Sequence, residues 1–157
     1  MPGRHLSHYS LLACLALLLT ACLPADEISL RQSVREWPEQ RLVFIADSRL
    51  GRVQSFHLGG GAPVPFALTH GNQRASVSDL QLDAQRGQLW VLGDDGVSVY
   101  DARRLVLQKR VLFDTQNISA LRIEAGRIVL IAKSGEQVGQ IDSTTLAASG
   151  RLLGRRS

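Results

Sequence analysis

The fold is decided by one stretch, Leu89-Trp90-Val91-Leu92-Gly93-Asp94-Asp95-Gly96-Val97-Ser98-Val99-Tyr100-Asp101. It begins with an apolar run, is interrupted by Asp94-Asp95-Gly96, and continues with apolar and polar residues in alternation. Alternation with a period of two is typical of a β-strand. An Asp-Gly pair favours a tight turn, because glycine adopts positive φ without a Cβ clash. The stretch therefore predicts a β-hairpin.

Two further copies of this pattern lie on either side of the first. One runs from Arg41 to Ala46, turns, and returns from Arg52 to Leu58; the other runs from Arg127 to Ala132 and returns from Val138 to Asp142. Both sets of strands can be aligned across the three copies. The first strands align at Leu42, Leu89 and Ile128, 47 and then 39 residues apart, and the return strands align at Phe56, Tyr100 and Ile141.

The second and third hairpins each have further strand-like segments before and after them. Val77–Asp83 and Ile118–Glu124 precede them, and 106–113 and 146–153 follow them. Four short strands at a period of about 40 residues are typical of a β-propeller blade. The sequence thus predicts an all-β fold of about three blade-like antiparallel β-meanders. An antiparallel β-sandwich is the alternative, since short alternating strands suit it as well.

The first copy departs from the other two after its return strand. Gly59-Gly60-Gly61, followed by Pro63 and Pro65, predicts a loop that breaks regular strand pairing. By this interpretation the chain supplies two full units and part of a third.

The stretch from Leu89 to Asp101 resembles the repeat of YVTN-type β-propellers, in which a small polar turn precedes a Val-x-Val-hydrophobic-Asp strand. The third unit keeps this pattern in Gln140-Ile141-Asp142 and the Ser/Thr turn that follows, whereas the first has His57 in place of the aspartate. The resemblance covers roughly residues 40–153. It implies a propeller-like fold with too few blades for a closed ring, which usually needs about 4 to 8.

Three outcomes are open for the unpaired ends of such an array. The N-terminal segment around Ile28–Trp37 caps it, copies of the chain associate, or another protein completes it. In the last two cases the predicted contact edges are 40–46 and 146–153. Trp90 is predicted in the core, and Trp37 is predicted either exposed or packed against the domain.

The first 22 residues carry a second signature. Arg4 precedes an uncharged apolar run from Leu11, which ends in Leu19-Thr20-Ala21-Cys22. The run has the length of a secretory signal and is shorter than the roughly 20 apolar residues of a spanning helix. Leu-Thr-Ala-Cys resembles the bacterial lipobox, with an ordinary secretory signal as the alternative.

The lipobox resemblance implies that Cys22 becomes the lipidated first residue of the mature protein. The predicted organisation is a signal peptide over 1–21, a lipidated N-terminus and tether over 22–39, and a β-repeat domain over 40–157. Leu23 follows the cysteine where an aspartate favours retention in the inner membrane of enterobacteria. The resemblance therefore implies an outer-membrane lipoprotein, facing the periplasm, with the lipid on Cys22 as its membrane contact.

The distribution of charged residues argues against one class of binding partner. Removing residues 1–21 leaves 136 of 157 residues, with 17 basic and 14 acidic side chains spread along the chain. Nucleic-acid binding needs a concentrated basic face with aromatic residues, so no nucleic-acid partner is predicted. Cys14 leaves with the signal and Cys22 receives lipid, so no disulfide is predicted.

No constellation of residues predicts catalysis, a metal site or a cofactor site. Asp94-Asp95-Gly96 lacks the ligand spacing of an EF-hand loop, and His57 and His70 have no zinc-ligand spacing. Ser78, His70 and Asp79 form a triad only on paper, since no nucleophile elbow surrounds the serine. The hypothesis is a non-enzymatic scaffold or protein-binding subunit of an envelope assembly, contacting an envelope protein or a second copy. A small lipoprotein that binds or senses a peptide or glycan is the alternative.

Overall fold

A computed structural model describes residues 34–47, 52–69 and 76–150, and this part of the chain contains twelve β-strands and one 3₁₀ turn. The strands form three four-stranded sheets, here called blades A, B and C. Blade A contains β1 (Val34–Trp37), β2 (Leu42–Asp47), β3 (Arg52–His57) and β4 (Pro63–Thr69), with the 3₁₀ turn Pro38–Gln40 after β1. Blade B contains β5 (Asp79–Asp83), β6 (Gln88–Leu92), β7 (Gly96–Asp101) and β8 (Val106–Leu112). Blade C contains β9 (Ile118–Glu124), β10 (Arg127–Ala132), β11 (Gln137–Asp142) and β12 (Ala148–Gly150).

Each blade is an antiparallel meander whose strands pair in chain order. The first strands contact one another across the blades, since β5 packs against β1 on one side and β9 on the other. This is the arrangement of successive propeller blades around their inner strands. The predicted all-β fold of three blade-like meanders is confirmed. The described strands form three sheets rather than the two packed sheets of a sandwich.

Two hydrophobic cores join the blades, and the period-two alternation of β6 explains them both. Leu89 and Val91 belong to the core between blades A and B, whereas Trp90 and Leu92 belong to the core between blades B and C. Both faces of β6 are therefore buried, as in strands covered on two sides. The Trp90 side chain is completely buried, which confirms its predicted core position.

The three blades share the same backbone hydrogen bond in the turn after their third strand. The N–H of the fifth turn residue donates to the carbonyl of the first, in Leu105 to Asp101, Leu146 to Asp142 and Gly61 to His57. That fifth residue is left-handed in every copy, with φ of 58° at Leu105, 57° at Leu146 and 62° at Gly61. A glycine thus takes in blade A the conformation that leucines adopt in the other blades.

The predicted alignment of the three copies was wrong by one residue in blade A. Leu89 pairs with Tyr100 and Ile128 with Ile141, but Phe56 pairs with Val43 rather than with Leu42. A shift of one residue moves a side chain to the other face of the sheet. Leu42 accordingly packs toward blade B, and Val43 is the true equivalent of Leu89 and Ile128.

The predicted loop after Gly59–Gly61 was also wrong, because Pro63–Thr69 forms β4 and completes blade A. Proline lacks the N–H of a central strand but is tolerated at the first residue of a strand and at a sheet edge. Pro63 occupies both positions, since it opens the outermost strand.

The N-terminal boundary of the domain lies earlier than residue 40. Val34–Trp37, within the predicted tether, forms β1 and pairs with β2. Consequently β2, which covers most of 40–46, lies between β1 and β3 and is not the predicted contact edge. Ala148–Gly150 is the outermost strand of blade C, so the other predicted edge is present as far as the described residues reach. Trp37 packs into the core between blades A and B, with 2% of its surface exposed.

Candidate protein-binding surface

Strand β8, the last of blade B, carries the most exposed apolar surface. Among the described residues four large apolar side chains are exposed, and three of them lie on β8: Val106 at 56%, Leu107 at 49% and Leu112 at 49%. The strand pairs with β7 on one side, and no described strand pairs with its other side. A sheet edge with exposed apolar groups is a typical site of protein contact.

The middle of β8 is protected against indiscriminate strand pairing. Leu107 lies opposite Tyr100 and Lys109 opposite Val99, so that Gln108 forms a bulge. Bulges and lysines are the usual devices that keep a sheet edge from aggregating. Arg110 is held by an ion pair with Asp95 across 2.5 Å. The apolar surface is thus restricted to the two ends of the strand, which favours a specific contact.

A buried polar centre links the inner strands of all three blades. One oxygen of Asp79 on β5 accepts the backbone N–H of Leu121 on β9 at 2.7 Å, and the other accepts the N–H of Leu80 at 2.8 Å. Arg35 of β1 places its Nη2 3.7 Å from the same carboxylate, and Gln81 donates to it at 3.3 Å. This cluster holds the blades together because it satisfies an acid that is 2% exposed.

The Asp79 carboxyl titrates abnormally. Burial raises its pKa above the ordinary value of 3.8, because desolvation disfavours the charged form. The hydrogen bonds from Leu121, Leu80 and Gln81, together with the charge of Arg35, oppose this rise in pKa without overcoming it. The cluster is interpreted as structural, because the buried carboxylate contacts residues of the inner strands of all three blades.

A cation–π contact ties the edge of blade B to blade A. The guanidinium of Arg103 lies 5.1 Å from the centre of the Trp37 ring. Gly87 leaves room for the guanidinium in this position, since a Cβ there would lie 2.5 Å from Nη1 of Arg103 and would displace it. The turn that carries Arg103 is ordered by Asp101, whose Oδ1 accepts the N–H groups of Arg103 and Arg104 at 2.9 Å each.

Some of the residues singled out in the sequence lie within the described part of the chain and others lie outside it. Leu19, Thr20, Ala21, Cys22 and His70 lie outside the described residues. Asp94-Asp95 forms the predicted turn between β6 and β7, and the N–H of Ser76 donates to the Asp94 carboxylate at 2.9 Å. No group of three His, Cys, Asp or Glu side chains within residues 34–47, 52–69 and 76–150 is arranged to hold a metal ion.

One shallow depression lies at the outer edge of blade C. It has a volume of about 510 Å³ and lies between β11 and β12, lined by Gln137, Val138, Gly139, Gln140, Ser149 and Gly150. Its side chains are mainly amides and a hydroxyl, which are groups that hydrogen-bond to sugars and peptides. In the same described ranges, no helix has the length and hydropathy needed to cross a bilayer.

Sequence reasoning missed both the β8 surface and the Asp79 cluster. Asp79 was considered only as a member of a triad, although an acid at the start of an apolar strand is a signal for a buried, hydrogen-bonded carboxylate. The sequence gives a weaker indication that β8 is exposed. Its apolar pairs Val106-Leu107 and Val111-Leu112 flank polar residues, and this pattern also suits a half-buried strand.

No protein-family model matches the chain, and no curated protein matches it significantly in sequence. Solved structures do match its fold. Sqt1 from Saccharomyces cerevisiae has a TM-score of 0.61 at 10% identity, over 74% of this chain and 34% of Sqt1. The N-terminal domain of Nup159 has a TM-score of 0.53 at 10% identity, over 76% of this chain and 33% of that domain. A chain of the Mitotic Checkpoint Complex has a TM-score of 0.50 at 15% identity, over 67% of this chain and 36% of its own length.

These similarities concern the fold, which is propeller-like in all three structures. The present chain spans about one third of the length of each matched chain.

Proposed function

We propose that this protein is a non-enzymatic scaffold that binds another protein of the bacterial envelope, with β8 as the contact strand. The observation that carries the proposal is the concentration of exposed apolar residues on β8, at Val106, Leu107 and Leu112. Exposed apolar groups at a sheet edge that no described strand covers offer both a hydrophobic contact and backbone hydrogen bonds to an added strand. The similarity to a structure named as a complex, the Mitotic Checkpoint Complex, supports an assembly role.

The location is part of the same proposal. Leu19-Thr20-Ala21-Cys22 supports a lipid on Cys22, and Leu23 after it supports transport to the outer membrane, on the periplasmic face. Several acyl chains on one residue would anchor the protein stably, at about 0.8 kcal/mol per buried CH₂. The blades would then meet partners that share the membrane surface.

Photo-crosslinking in intact cells tests the binding role. A photoreactive amino acid replaces Leu107 or Leu112 in the full chain, and the control position is the exposed Glu39 on the 3₁₀ turn of blade A. The proposal expects one discrete crosslinked protein from the β8 positions and none from position 39. Crosslinks to many proteins in equal amounts, or none at Leu107 and Leu112, would contradict a specific scaffold.

A second variant separates binding from folding. Leu107→Asp places a charge at a position that is 49% exposed, where it costs the folded chain little. It should abolish capture of the crosslinked partner by the tagged full chain, while the urea midpoint of unfolding stays within error of the wild type. Unchanged capture would exclude β8 as the contact strand.

The alternative is a ligand-binding or sensing lipoprotein, and the depression beside β11 and β12 favours it. A peptide or glycan would lie along Gln137, Gln140 and Ser149, whose side chains are suited to hydrogen bonding. Isothermal titration of the full chain with envelope glycans and peptides tests this alternative. Binding that Gln140→Ala removes would favour a ligand over a protein partner.

A further inference from the structure

Blade A carries the same apolar face that blades B and C bury. In blade B this face consists of Leu80, Leu89, Val91 and Tyr100, which pack against blade A. The strand pairing gives the equivalent residues in the other blades. They are Leu121, Ile128, Leu130 and Ile141 in blade C, and Val34, Val43, Ile45 and Phe56 in blade A.

Burial separates the three copies of this face. In blades B and C its eight residues are all buried, with at most 5% of their surface exposed. In blade A, Ile45 is 37% exposed, and Val34, Val43 and Phe56 are only half-buried. We call these four residues the outer face of blade A. Its four residues are apolar, as are their buried equivalents in the other two blades, whereas Glu36 beside them stands at the position of Leu82 and Ile123. An apolar face of this kind is suited to receive another blade.

The side of blade C that is turned away from blade B is the matching surface. By strand pairing, Val129 occupies the position of Phe44 in blade A and Trp90 in blade B, which fill the two existing cores. Ile131 occupies the position of Ala46 and Leu92. We call Ala120, Arg122, Val129 and Ile131 the outer face of blade C. Val129 at its centre is buried, with 0% of its surface exposed, Ala120 and Ile131 are half-buried, and the side chain of Arg122 is 59% exposed.

The inner strands of the two outer faces carry opposite charges. On β9, Arg122 lies 2.6 Å from Glu124, which Arg127 also approaches at 3.6 Å, and Asp142 lies opposite Arg127 on β11. Blade A presents the exposed Glu36 on β1, on the same face as Val34. Arg122 is also the pairing equivalent of Arg35, whose guanidinium already reaches an acid on the next blade, Asp79. Opposite charges on the inner strands would therefore meet if the two faces joined.

We propose that the partner of these two faces is a second copy of this chain. The outer face of blade A in one copy packs against the outer face of blade C in the other, twice, around a two-fold axis. The three described blades of each copy make six in the pair, within the range of about 4 to 8 blades that closed propellers have. The proposal uses a different surface from β8, which would lie on the rim of this ring, so each can fail without the other.

The existing interfaces predict which residues meet. Ala46 and Val91 share the core between blades A and B, and Leu92 and Leu130 share the core between blades B and C. The corresponding pair in the proposed interface is Ile131 of one copy and Ile45 of the other. Facing sheets lie about 10 Å apart, which is beyond the Cα separation that a disulfide spans. A cysteine at each of these positions should therefore be joined between copies by a short bis-maleimide.

The crosslinking experiment uses two differently tagged full-length chains in the same cells. One carries Ile45→Cys and the other Ile131→Cys, and isolated membranes are treated with a short bis-maleimide before the two tags are detected together. The matched control replaces Ile45→Cys with Leu112→Cys, which is more exposed but lies on β8. The proposal expects a covalent product that carries both tags in the first pair only. Equal crosslinking in the control, or none while a maleimide labels both cysteines, would overturn it.

Light scattering on the detergent-solubilised full chain gives a second, independent readout. The wild type should have the mass of two copies, and Ile45→Arg should associate about a hundredfold more weakly, because an unpaired charge would be buried in the interface. Leu112→Arg should remain a pair. A single-copy mass for the wild type would overturn the proposal. Protection of Ile45→Cys from maleimide in that single copy would show that the chain covers its own face.

Discussion

The Asp79 carboxylate on β5 accepts the backbone N–H of Leu121 on β9 across 2.7 Å, and so joins the inner strands of two different blades. Its other oxygen lies 3.7 Å from the guanidinium of Arg35 on β1. One buried acid thus connects all three blades at their inner ends. The hydrophobic cores hold each pair of neighbouring blades, but this cluster contacts all three together.

Replacing this acid should destabilise the domain. Asp79→Ala leaves the N–H groups of Leu80 and Leu121 without their acceptor, at a cost of about 1–3 kcal/mol for each donor left unsatisfied. Asp79→Asn keeps one acceptor oxygen and should lose less. Urea unfolding of the full chain measures both variants, with the exposed Asp114→Ala as control. An Asp79→Ala midpoint equal to that of the control would refute the structural role of the cluster.

The raised pKa of Asp79 predicts a pH dependence of known sign. The folded protein keeps the proton at pH values where the unfolded chain, with its ordinary pKa of 3.8, has lost it. The stability that the protonated Asp79 contributes is therefore fully present below pH 3.8, and it is lost as the pH rises through the pKa of the folded state. Unfolding free energies of the wild type and Asp79→Asn should diverge in this window, with the wild type losing stability relative to the variant. A difference that is constant with pH would contradict the raised pKa.

Among the described glycines, Gly96 is the one where an added Cβ would lie nearest to another atom. Its φ is 151°, and a Cβ would lie 2.0 Å from the carbonyl oxygen of Val111 on β8. Gly96→Ala should therefore force β7 and β8 apart, at a cost of about 1–3 kcal/mol. Gly60→Ala is the matched control, because nothing lies within 4 Å of a Cβ there. Thermal unfolding followed by circular dichroism distinguishes the two, and similar midpoints would show that β8 can move.

The contact of Arg103 with Trp37 should contribute to the packing of blade B on blade A. Arg103→Ala removes a guanidinium 5.1 Å from the ring centre and should cost about 0.5–2 kcal/mol. Trp37 fluorescence should also change, since the ring loses its cover. Arg104→Ala is the control, because Arg104 is the next residue of the same turn and is also exposed. Equal losses in the two variants would mean that the contact contributes nothing specific.

Lipidation is the prediction that rests on sequence alone. Cells supplied with labelled palmitate should produce a labelled band, and Cys22→Ser should remove the label, because the cysteine thiol is the expected acceptor. Density-gradient fractionation should place the wild type with outer-membrane markers. Label retained by the variant, or a wild type found with inner-membrane markers, would contradict the anchor or its location.

Much of the fold could be read from local patterns, because a half-buried or sandwiched strand needs alternating side chains wherever it occurs. The hairpin around Asp94–Gly96 is an example, since an apolar run, an Asp-Gly turn and an alternating return strand leave one plausible arrangement. Blade A was harder. Val43 rather than Leu42 aligns with Leu89, and apolar residues at both positions conceal the shift.

The candidate surfaces could not be read in the same way, because exposure depends on which elements pack together. Leu107 and Leu112 have the composition of core residues, and they are exposed since β8 is the last strand of its sheet. Pro63 shows the converse, because proline argues against a strand until the strand is known to be at an edge.

The sequence by itself determined the all-β fold and the three repeats, because each depends on residues that are close together in the chain. The tertiary structure alone decided that Asp79 is buried against Leu121, 42 residues away, and that blade A exposes a face which its neighbours bury. The physical reason is that identical alternation of side chains is compatible with a covered or an uncovered sheet face. Only the presence of the next blade determines which of the two it becomes.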